Sequence, residues 1–350
     1  DRLGKRTFSL LKIVFFACGF FMPFLSWLFG LPKPVRNSIT SSLREPMGHK
    51  TFARGVPPSY YKELTSSKVI ADAAHPATVT MPLRQHLGAP CEPLVKKGDL
   101  VEEGQKIADV SAFVTAPIHA SISGKVKNID LANHPGGTRV MAITIEGDSN
   151  RKEWKLSGPE ADVSSFAPEA LREAIRDAGI VGMGGAAFPT SVKLSPPKGR
   201  TIDAVILNGC ECEPFLTADH RIMVEEPAKV VWGLKALMKA VGAQKGYIGI
   251  EENKPDAIEA LKSVIGSTSP SDVQVIVLEA KYPQGAEKML IKAALNRKVP
   301  SGKLPLDVGV IGLGRDQHHA GEVARQGGEG HALAHLGQVE ADGVLVHHLG

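Results

Sequence analysis

Two neighbouring segments of this 350-residue chain carry residue types that could hold a phosphate-bearing cofactor. The first, from Gly179 to Lys193, is rich in glycine, so its backbone N–H groups could approach a phosphate closely, and Lys193 supplies a positive charge. Its glycines depart from the familiar G-x-G-x-x-G order, and the segment follows a predicted helix rather than a strand. Taken alone, this segment is equally compatible with a turn that ends a helix and binds no ligand.

The second segment is a polar loop that directly follows an apolar strand. It reads N-G-C-E-C-E-P-F-L-T-A-D-H-R from Asn208 to Arg221. The Asn208 amide can donate to and accept from the uracil-like edge of a flavin, and the carboxylates can accept from ribose hydroxyls or a nicotinamide amide. Cys210 and Cys212 have no nearby partner cysteines, so we interpret them as structural thiols. Together the two segments predict a site for a flavin nucleotide beside a nicotinamide dinucleotide.

The elements that must position these loops alternate between helix and strand. A proline and an acidic residue open a helix at Pro168, and Gly179 ends it. Apolar residues at helical spacing follow Pro227, and short apolar runs separate the helices. We therefore predict an α/β domain with a largely parallel sheet, whose ligands bind at the carboxyl ends of the strands. The predicted helices begin at Pro168, Pro227, Pro255 and Gly285, and the predicted strands are 204–207, 247–250 and 273–278.

The region from Val79 to Ile145 has a different pattern, in which short apolar runs are broken by turn signals such as K-G-D and P-G-G. This pattern is typical of an all-β domain. The order V-K-K-G-D-x-V-x-x-G-Q-x-I followed by Ala116-Pro117 resembles the barrel-sandwich domains of lipoyl and biotinyl carriers. Those carriers need an acceptor lysine, and none lies between Lys106 and Lys125. We therefore expect a structural or docking module rather than a swinging arm.

Composition excludes several classes of function. The net charge of +4 is small and is not concentrated in a basic block within the body of the chain, so no nucleic-acid footprint is present. The four cysteines form no C-x-x-C pair, which argues against a disulfide framework, a zinc ribbon or a self-sufficient iron–sulfur site and favours a reducing cytoplasm. We interpret His86 and His119 as ordinary hydrogen-bonded residues, and we predict no metal site.

The two ends of the chain differ in character from its body. An apolar run over 13–31, behind basic residues, could span a membrane, or everything before Met47 could be non-native upstream sequence. Six of the twelve histidines lie in the last 33 residues, and we expect that the reading frame slips near Gly312 rather than that this tail binds metal. The predicted divisions are an extension over 1–46, the β module over 47–150, a linker over 151–167, the α/β domain over 168–312 and an atypical tail over 313–350.

The two loops together resemble the NADH-binding flavoprotein subunit of respiratory complex I, and they resemble more closely RnfC, a component of Rnf-type ion-translocating NAD:ferredoxin oxidoreductases. The second resemblance runs from Thr51 to Ile311 and includes K-E-L-T-S-x-K-x-I from Lys62, P-L-x-Q-H-x-G-A-P from Pro82 and A-P-I-H-A-S-x-S-G from Ala116. It continues with E-x-N-K-P from Glu251 and Y-P-Q-G-A-E-K from Tyr282. So many ordered motifs make the resemblance specific.

The resemblance implies roles for individual side chains. It implies hydride exchange between nicotinamide and FMN, which then passes electrons singly, and this chemistry needs no catalytic acid or base. Phe188 would stack on the dinucleotide, while Glu211 and Glu213 would accept its hydrogen bonds. Asn253 falls where the complex I relative has a flavin-facing acid. The residues implied at the FMN site are Gly182, Gly184, Gly185, Lys193, Asn208 and Asn253.

The resemblance also implies a cellular setting. The chain would be a peripheral subunit on the cytoplasmic face of a bacterial inner membrane, beside membrane-embedded and ferredoxin-like Rnf subunits, and would exchange electrons indirectly with ferredoxin. Full-length relatives would carry 4Fe-4S clusters on C-x-x-C-x-x-C-x-x-x-C-P runs, and no such run occurs in this sequence. Two alternatives stay open: a soluble flavoprotein of the cobalamin-reductase type, and a non-catalytic assembly scaffold whose nucleotide site has decayed. The coupling ion, Na⁺ or H⁺, and the direction of electron flow are not indicated.

Overall fold

The computed structural model describes residues 50–71, 73–74, 76–148, 162–183, 187–266 and 272–314, all of which belong to one unit that begins at His49. Several predicted features lie outside these residues: the apolar run, most of the linker, Gly184, Gly185 and the tail beyond residue 314. Within the described ranges, no helix is both long and apolar enough to cross a lipid bilayer.

The first part of the described chain is an all-β module, as the turn signals predicted. Its seven strands form two antiparallel sheets, with the orders β1-β7-β6-β3 and β2-β4-β5. Side chains from both sheets, such as Ile107 and Ile143, are fully buried between them. The strands are β1 (Thr78–Pro82), β2 (Glu92–Pro93), β3 (Leu100–Val101), β4 (Lys106–Asp109), β5 (Ile118–His119), β6 (Gly124–Asn133) and β7 (Arg139–Gly147).

The second part is the predicted α/β domain. Prolines open three of its helices, and glycine in the left-handed conformation ends the longest of them at Gly242. In chain order its elements are α1 (Pro168–Asp177), β8 (Val181–Gly182), β9 (Phe188–Pro189), α2 (Thr190–Lys193), β10 (Ala204–Gly209), α3 (Ala218–Glu225), α4 (Pro227–Val241), β11 (Lys245–Glu251), α5 (Pro255–Gly266), β12 (Val273–Leu278), α6 (Glu287–Leu295) and β13 (Val310–Gly314).

Four parallel strands form the central sheet of this domain, in the order β12-β11-β10-β13. Val205 and Leu207 of β10 pack on the face covered by α1, α4 and α5, whereas Ile206 packs on the face covered by α6. This burial on both faces explains the continuous apolar run of β10. The predicted parallel sheet is confirmed. The predicted helix at Gly285 begins two residues later, at Glu287, because residues 282–286 form a turn in which Ala286 N–H donates to Pro283 O.

The strand order creates a switch point at the carboxyl edge of the sheet. After β10 the chain builds β11 and β12 on one side, and it then returns to place β13 on the other side of β10. Connections that diverge in this way leave a crevice beyond the carboxyl ends of the two strands, where α/β sheets bind ligands. The glycine-rich segment and the acidic loop therefore both approach the carboxyl end of β10.

The β module packs directly against the glycine-rich segment. Gly179 has a φ of +69°, and a Cβ at this position would lie 2.3 Å from the carbonyl oxygen of Pro117. Arg176 and Asp109 form an ion pair across the same contact, with Nη2 and Oδ1 3.2 Å apart. Leu87 N–H donates to Ala187 O over 3.3 Å. The start of the glycine-rich segment is thus fixed by a partner surface and not by the turn alone.

Substitution of Gly179 tests this contact. Gly179→Ala incurs a left-handed backbone strain of about 1–2 kcal/mol and, in addition, a clash with the backbone of the β module. Gly242→Ala is the matched control, because Gly242 also has a positive φ but a Cβ there would meet nothing within 4 Å. We expect urea denaturation to show a clearly larger loss of unfolding free energy for Gly179→Ala. Equal losses would contradict the packing described.

His119 provides a pH-dependent test of the same interface. Burial, together with the nearby Lys106, lowers the pKa of His119 to about 4, although Asp109 and Asp177 oppose the shift. Below about pH 6.5 the unfolded chain binds a proton that the folded chain accepts only near pH 4, so the unfolding free energy falls over this window, by up to roughly 3 kcal/mol. Denaturation at about pH 7 and pH 5 should show a smaller fall for His119→Gln than for the unsubstituted chain. An identical pH dependence would refute this assignment.

Candidate functional site

Lys193, the last residue of α2, lies at the switch point. Its Nζ donates to the carbonyl oxygen of Gly312 in β13 over 2.9 Å and to Glu287 Oε1 over 3.1 Å. Gly312 has no room for a side chain, because a Cβ there would lie 2.6 Å from the same carboxylate oxygen. The predicted cation of the glycine-rich segment is therefore at the carboxyl edge of the sheet, where it is paired with the beginning of α6.

Asn208 lies in β10 beside this group. Its Nδ2 donates to Gly285 O over 2.8 Å, and its Oδ1 accepts from Cys210 N–H over 3.1 Å. Each amide atom thus makes one of the two hydrogen bonds that it can make. Asn208 and Lys193 both contact the turn and helix start at 285–287, so two residues predicted from separate segments are brought together.

The described part of the glycine-rich segment contains a short hairpin. Gly182 of β8 pairs with Phe188 of β9 in antiparallel register, and Thr190 N–H donates to Ile180 O over 3.0 Å. Phe188 is half-buried. The hairpin gives the two ends of the loop a defined spacing.

Glu211 and Glu213 of the acidic loop have opposite environments. Glu211 is fully buried, and its Oε1 accepts from Asp219 N–H over 3.0 Å. Its own N–H donates to Glu251 Oε2 over 3.0 Å. Glu213, by contrast, is exposed. The two predicted acceptors are therefore not equivalent: Glu211 is enclosed by protein groups, whereas Glu213 presents its carboxylate to solvent.

A segment from the beginning of the described chain, which we call the N-terminal strap (residues 50–71), crosses the acidic loop. Lys62 of this strap is buried, and its Nζ donates to Glu213 O over 3.0 Å and also to Leu216 O. The same ammonium lies 3.8 Å from Glu211 Oε2. Burial lowers the pKa of Lys62, and the Glu211 carboxylate opposes this shift. The strap thus inserts a cation beneath the loop that carries both predicted acidic residues.

A second buried ion pair lies next to the first. Lys254 and Glu251 are both completely buried, with Nζ and Oε2 2.5 Å apart. Lys254 also donates to the Oδ1 of Asn253, whose side chain is otherwise exposed. The hydroxyl of Tyr60, from the strap, is buried without a hydrogen-bond partner. Burial, and secondarily the Glu251 carboxylate, raises the pKa of Tyr60 to about 12.

Sequence reasoning missed several of these charged groups. Lys62, Glu251, Lys254 and Glu287 all stand inside motifs that carried the family resemblance, but the sequence assigned them no role. Cys210 and Cys212 are both buried, and burial raises the pKa of the Cys212 thiol. Among the described residues, no group of three or more His, Cys, Asp or Glu side chains is placed to hold a metal ion.

Comparison with known proteins connects both parts of the chain to the same family. Residues 175–315 match the family model described as the Nuo51 FMN-binding domain, and residues 50–150 match that of the RnfC barrel sandwich hybrid domain. The chain is 48% identical over 263 residues to the C subunit of the Na(+)-translocating ferredoxin:NAD(+) oxidoreductase complex of Acetobacterium woodii. It is 49% identical over 263 residues to the proton-translocating counterpart of Clostridium ljungdahlii.

A third relative extends the comparison. The chain is 37% identical over 294 residues to the C subunit of the ion-translocating oxidoreductase complex of Rhodobacter capsulatus. These three alignments cover 75%, 75% and 83% of this chain, but only 59%, 57% and 56% of the relatives. The chain therefore spans less than three fifths of the length of the curated relatives that it matches.

Removal of one buried cation tests the arrangement beneath the acidic loop. Lys254→Met leaves the Glu251 carboxylate enclosed without its cation, which we expect to reduce the free energy of unfolding by about 3–5 kcal/mol. The double variant Lys254→Met/Glu251→Gln should recover at least half of this loss, since glutamine can still accept from Glu211 N–H. Lys262→Met, an exposed position in α5, is the control and should change stability by less than about 0.5 kcal/mol. Urea denaturation that shows no recovery in the double variant would contradict this account.

Proposed function

Because the chain belongs to the RnfC family of ion-translocating oxidoreductase subunits, we propose that its α/β domain binds FMN and a nicotinamide dinucleotide and passes electrons between them. The observation that carries the proposal is the convergence of Lys193 and Asn208 on the turn and helix start at 285–287, at the switch point between β10 and β13. These two residues come from the two segments whose residue types predicted a flavin site.

The side chains at the switch point fit a flavin nucleotide. Lys193 supplies a cation that is 30% exposed and so is accessible to a phosphate. Asn208 retains one donor and one acceptor for the polar edge of a flavin ring. Gly182, with Gly184 and Gly185 outside the described residues, completes the proposed FMN group, and Asn253 is the peripheral member. Bound FMN would supply the change from paired to single electron transfer.

The dinucleotide would bind beside the acidic loop. Glu213 is the acceptor that we propose for its hydroxyl or amide groups, because its carboxylate is exposed. Glu211 is fully enclosed, so we revise its proposed role from direct contact to support of the loop. Phe188, half-buried at the start of β9, is the proposed stacking residue. These side chains bind and orient; none is asked to move a proton.

At the level of the whole complex, the proposal follows the relatives that share this family. The chain would act as a peripheral subunit on the cytoplasmic face of the bacterial inner membrane, beside other Rnf subunits that conduct ions and deliver electrons to or from ferredoxin. Iron–sulfur carriers would be supplied by the parts of such a protein that lie outside the matched region and by its partners. We propose that 47–150 acts as a docking module joined through 151–167 to the nucleotide-binding domain over 168–312.

Reconstitution with FMN tests this proposal directly. The purified chain should bind FMN, seen as quenching of flavin fluorescence, and anaerobic NADH should then bleach the flavin absorbance. Lys193→Met should raise the Kd for FMN about tenfold or more, since it removes a charge-assisted contact. Lys198→Met, at an exposed position a few residues later, is the control. Absence of FMN binding, or equal affinities for the two variants, would count against the proposed site.

A further inference from the structure

Two aromatic side chains stack on the surface where the N-terminal strap meets the acidic loop. The ring centroids of Tyr61 and Phe215 are 5.2 Å apart, with an angle of 13° between the ring planes. Yet Tyr61 is 51% exposed and Phe215 is 56% exposed. A stacked pair normally contributes by burying its rings, whereas this pair keeps a large part of its aromatic surface in water. The pair therefore presents a rigid, flat, apolar face to solvent.

Both residues have an unusual backbone conformation. The φ angle is +50° at Tyr61 and +67° at Phe215, in the left-handed region that bulky residues rarely adopt. Such conformations persist only where the surroundings enforce them, and they cluster at ligand-binding sites. Here the surroundings do enforce them, because Phe215 N–H donates to Tyr60 O over 2.8 Å, and Lys62 binds the carbonyl groups on either side of Phe215.

We infer that the Tyr61–Phe215 pair is a stacking platform for the purine ring of the dinucleotide, an inference that rests on the proposed function. Aromatic side chains bind nucleobases by stacking, and every base offers a flat π face for this contact. The platform lies on the same loop as Glu213, whose exposed carboxylate is the acceptor proposed for the dinucleotide. The adenosine half of the dinucleotide would thus rest on the strap and the acidic loop, and its other half would extend toward the switch point.

Two fragments of the dinucleotide separate this inference from the proposed function. ADP-ribose carries the purine but no nicotinamide, and reduced nicotinamide mononucleotide carries the nicotinamide but no purine. With the FMN-loaded chain, Tyr61→Leu and Phe215→Leu should each raise the Kd for ADP-ribose about tenfold and leave that for the mononucleotide unchanged. Phe113→Leu, which removes a 73% exposed ring from the β module, is the control and should change neither.

A second substitution distinguishes ligand binding from packing. Glycine adopts the left-handed conformation without strain, so Phe215→Gly should keep the melting temperature near that of the unsubstituted chain while it weakens ADP-ribose binding. Unchanged ADP-ribose affinity in both leucine variants would overturn the inference and favour a protein partner on this surface, and equal weakening of both fragments would overturn it too. If the unsubstituted chain binds neither fragment, the proposed function fails and the platform falls with it.

Discussion

The contacts of the Lys62 ammonium group are the interaction on which the geometry of the acidic loop depends. Lys62 reaches the loop from a segment about 150 residues earlier in the chain, and there it donates to two backbone carbonyls and lies near the Glu211 carboxylate. Without this cation the three acceptors would lose a donor that they face in the protein interior, which is costly. The loop is therefore held in one conformation. That conformation leaves Glu213 and Phe215 on the surface and Glu211 enclosed.

The second buried pair extends this constraint from one strand to the next. Glu251 ends β11, and it accepts both from the N–H of Glu211, which follows β10, and from Lys254. Ion pairs that are fully buried gain little net stability, because desolvation offsets most of their attraction. Their effect here is on specificity of structure: the carboxyl ends of two adjacent strands are tied through shared charged groups. A hydrophobic replacement could be as stable and would not fix the two loops relative to each other.

The sequence predicted the regular elements of the fold well, and it predicted the site only in part. Strands such as β12 and helices such as α4 were recognisable because their apolar periodicity and their proline and glycine boundaries are local signals. The hairpin of β8 and β9 was missed because two-residue strands carry no periodicity. Lys193 and Asn208 could be found because they lie in glycine-rich or polar loops at element ends. Lys62 and Lys254 could not, since a lysine is rarely buried, and its burial depends on a distant partner.

The two lysines at this edge of the sheet differ in how easily they could change partners. Lys193 and Glu287 are 30% and 38% exposed, and ion pairs with this much solvent contact contribute little to stability. Under the proposed function, a phosphate can replace Glu287 as the partner of Lys193 at small cost to the fold. Lys62, only 10% exposed in its side chain, has no such freedom, because every acceptor around it is itself part of the enclosed loop. One cation thus fixes the shape of the site, while the other stays available to a ligand.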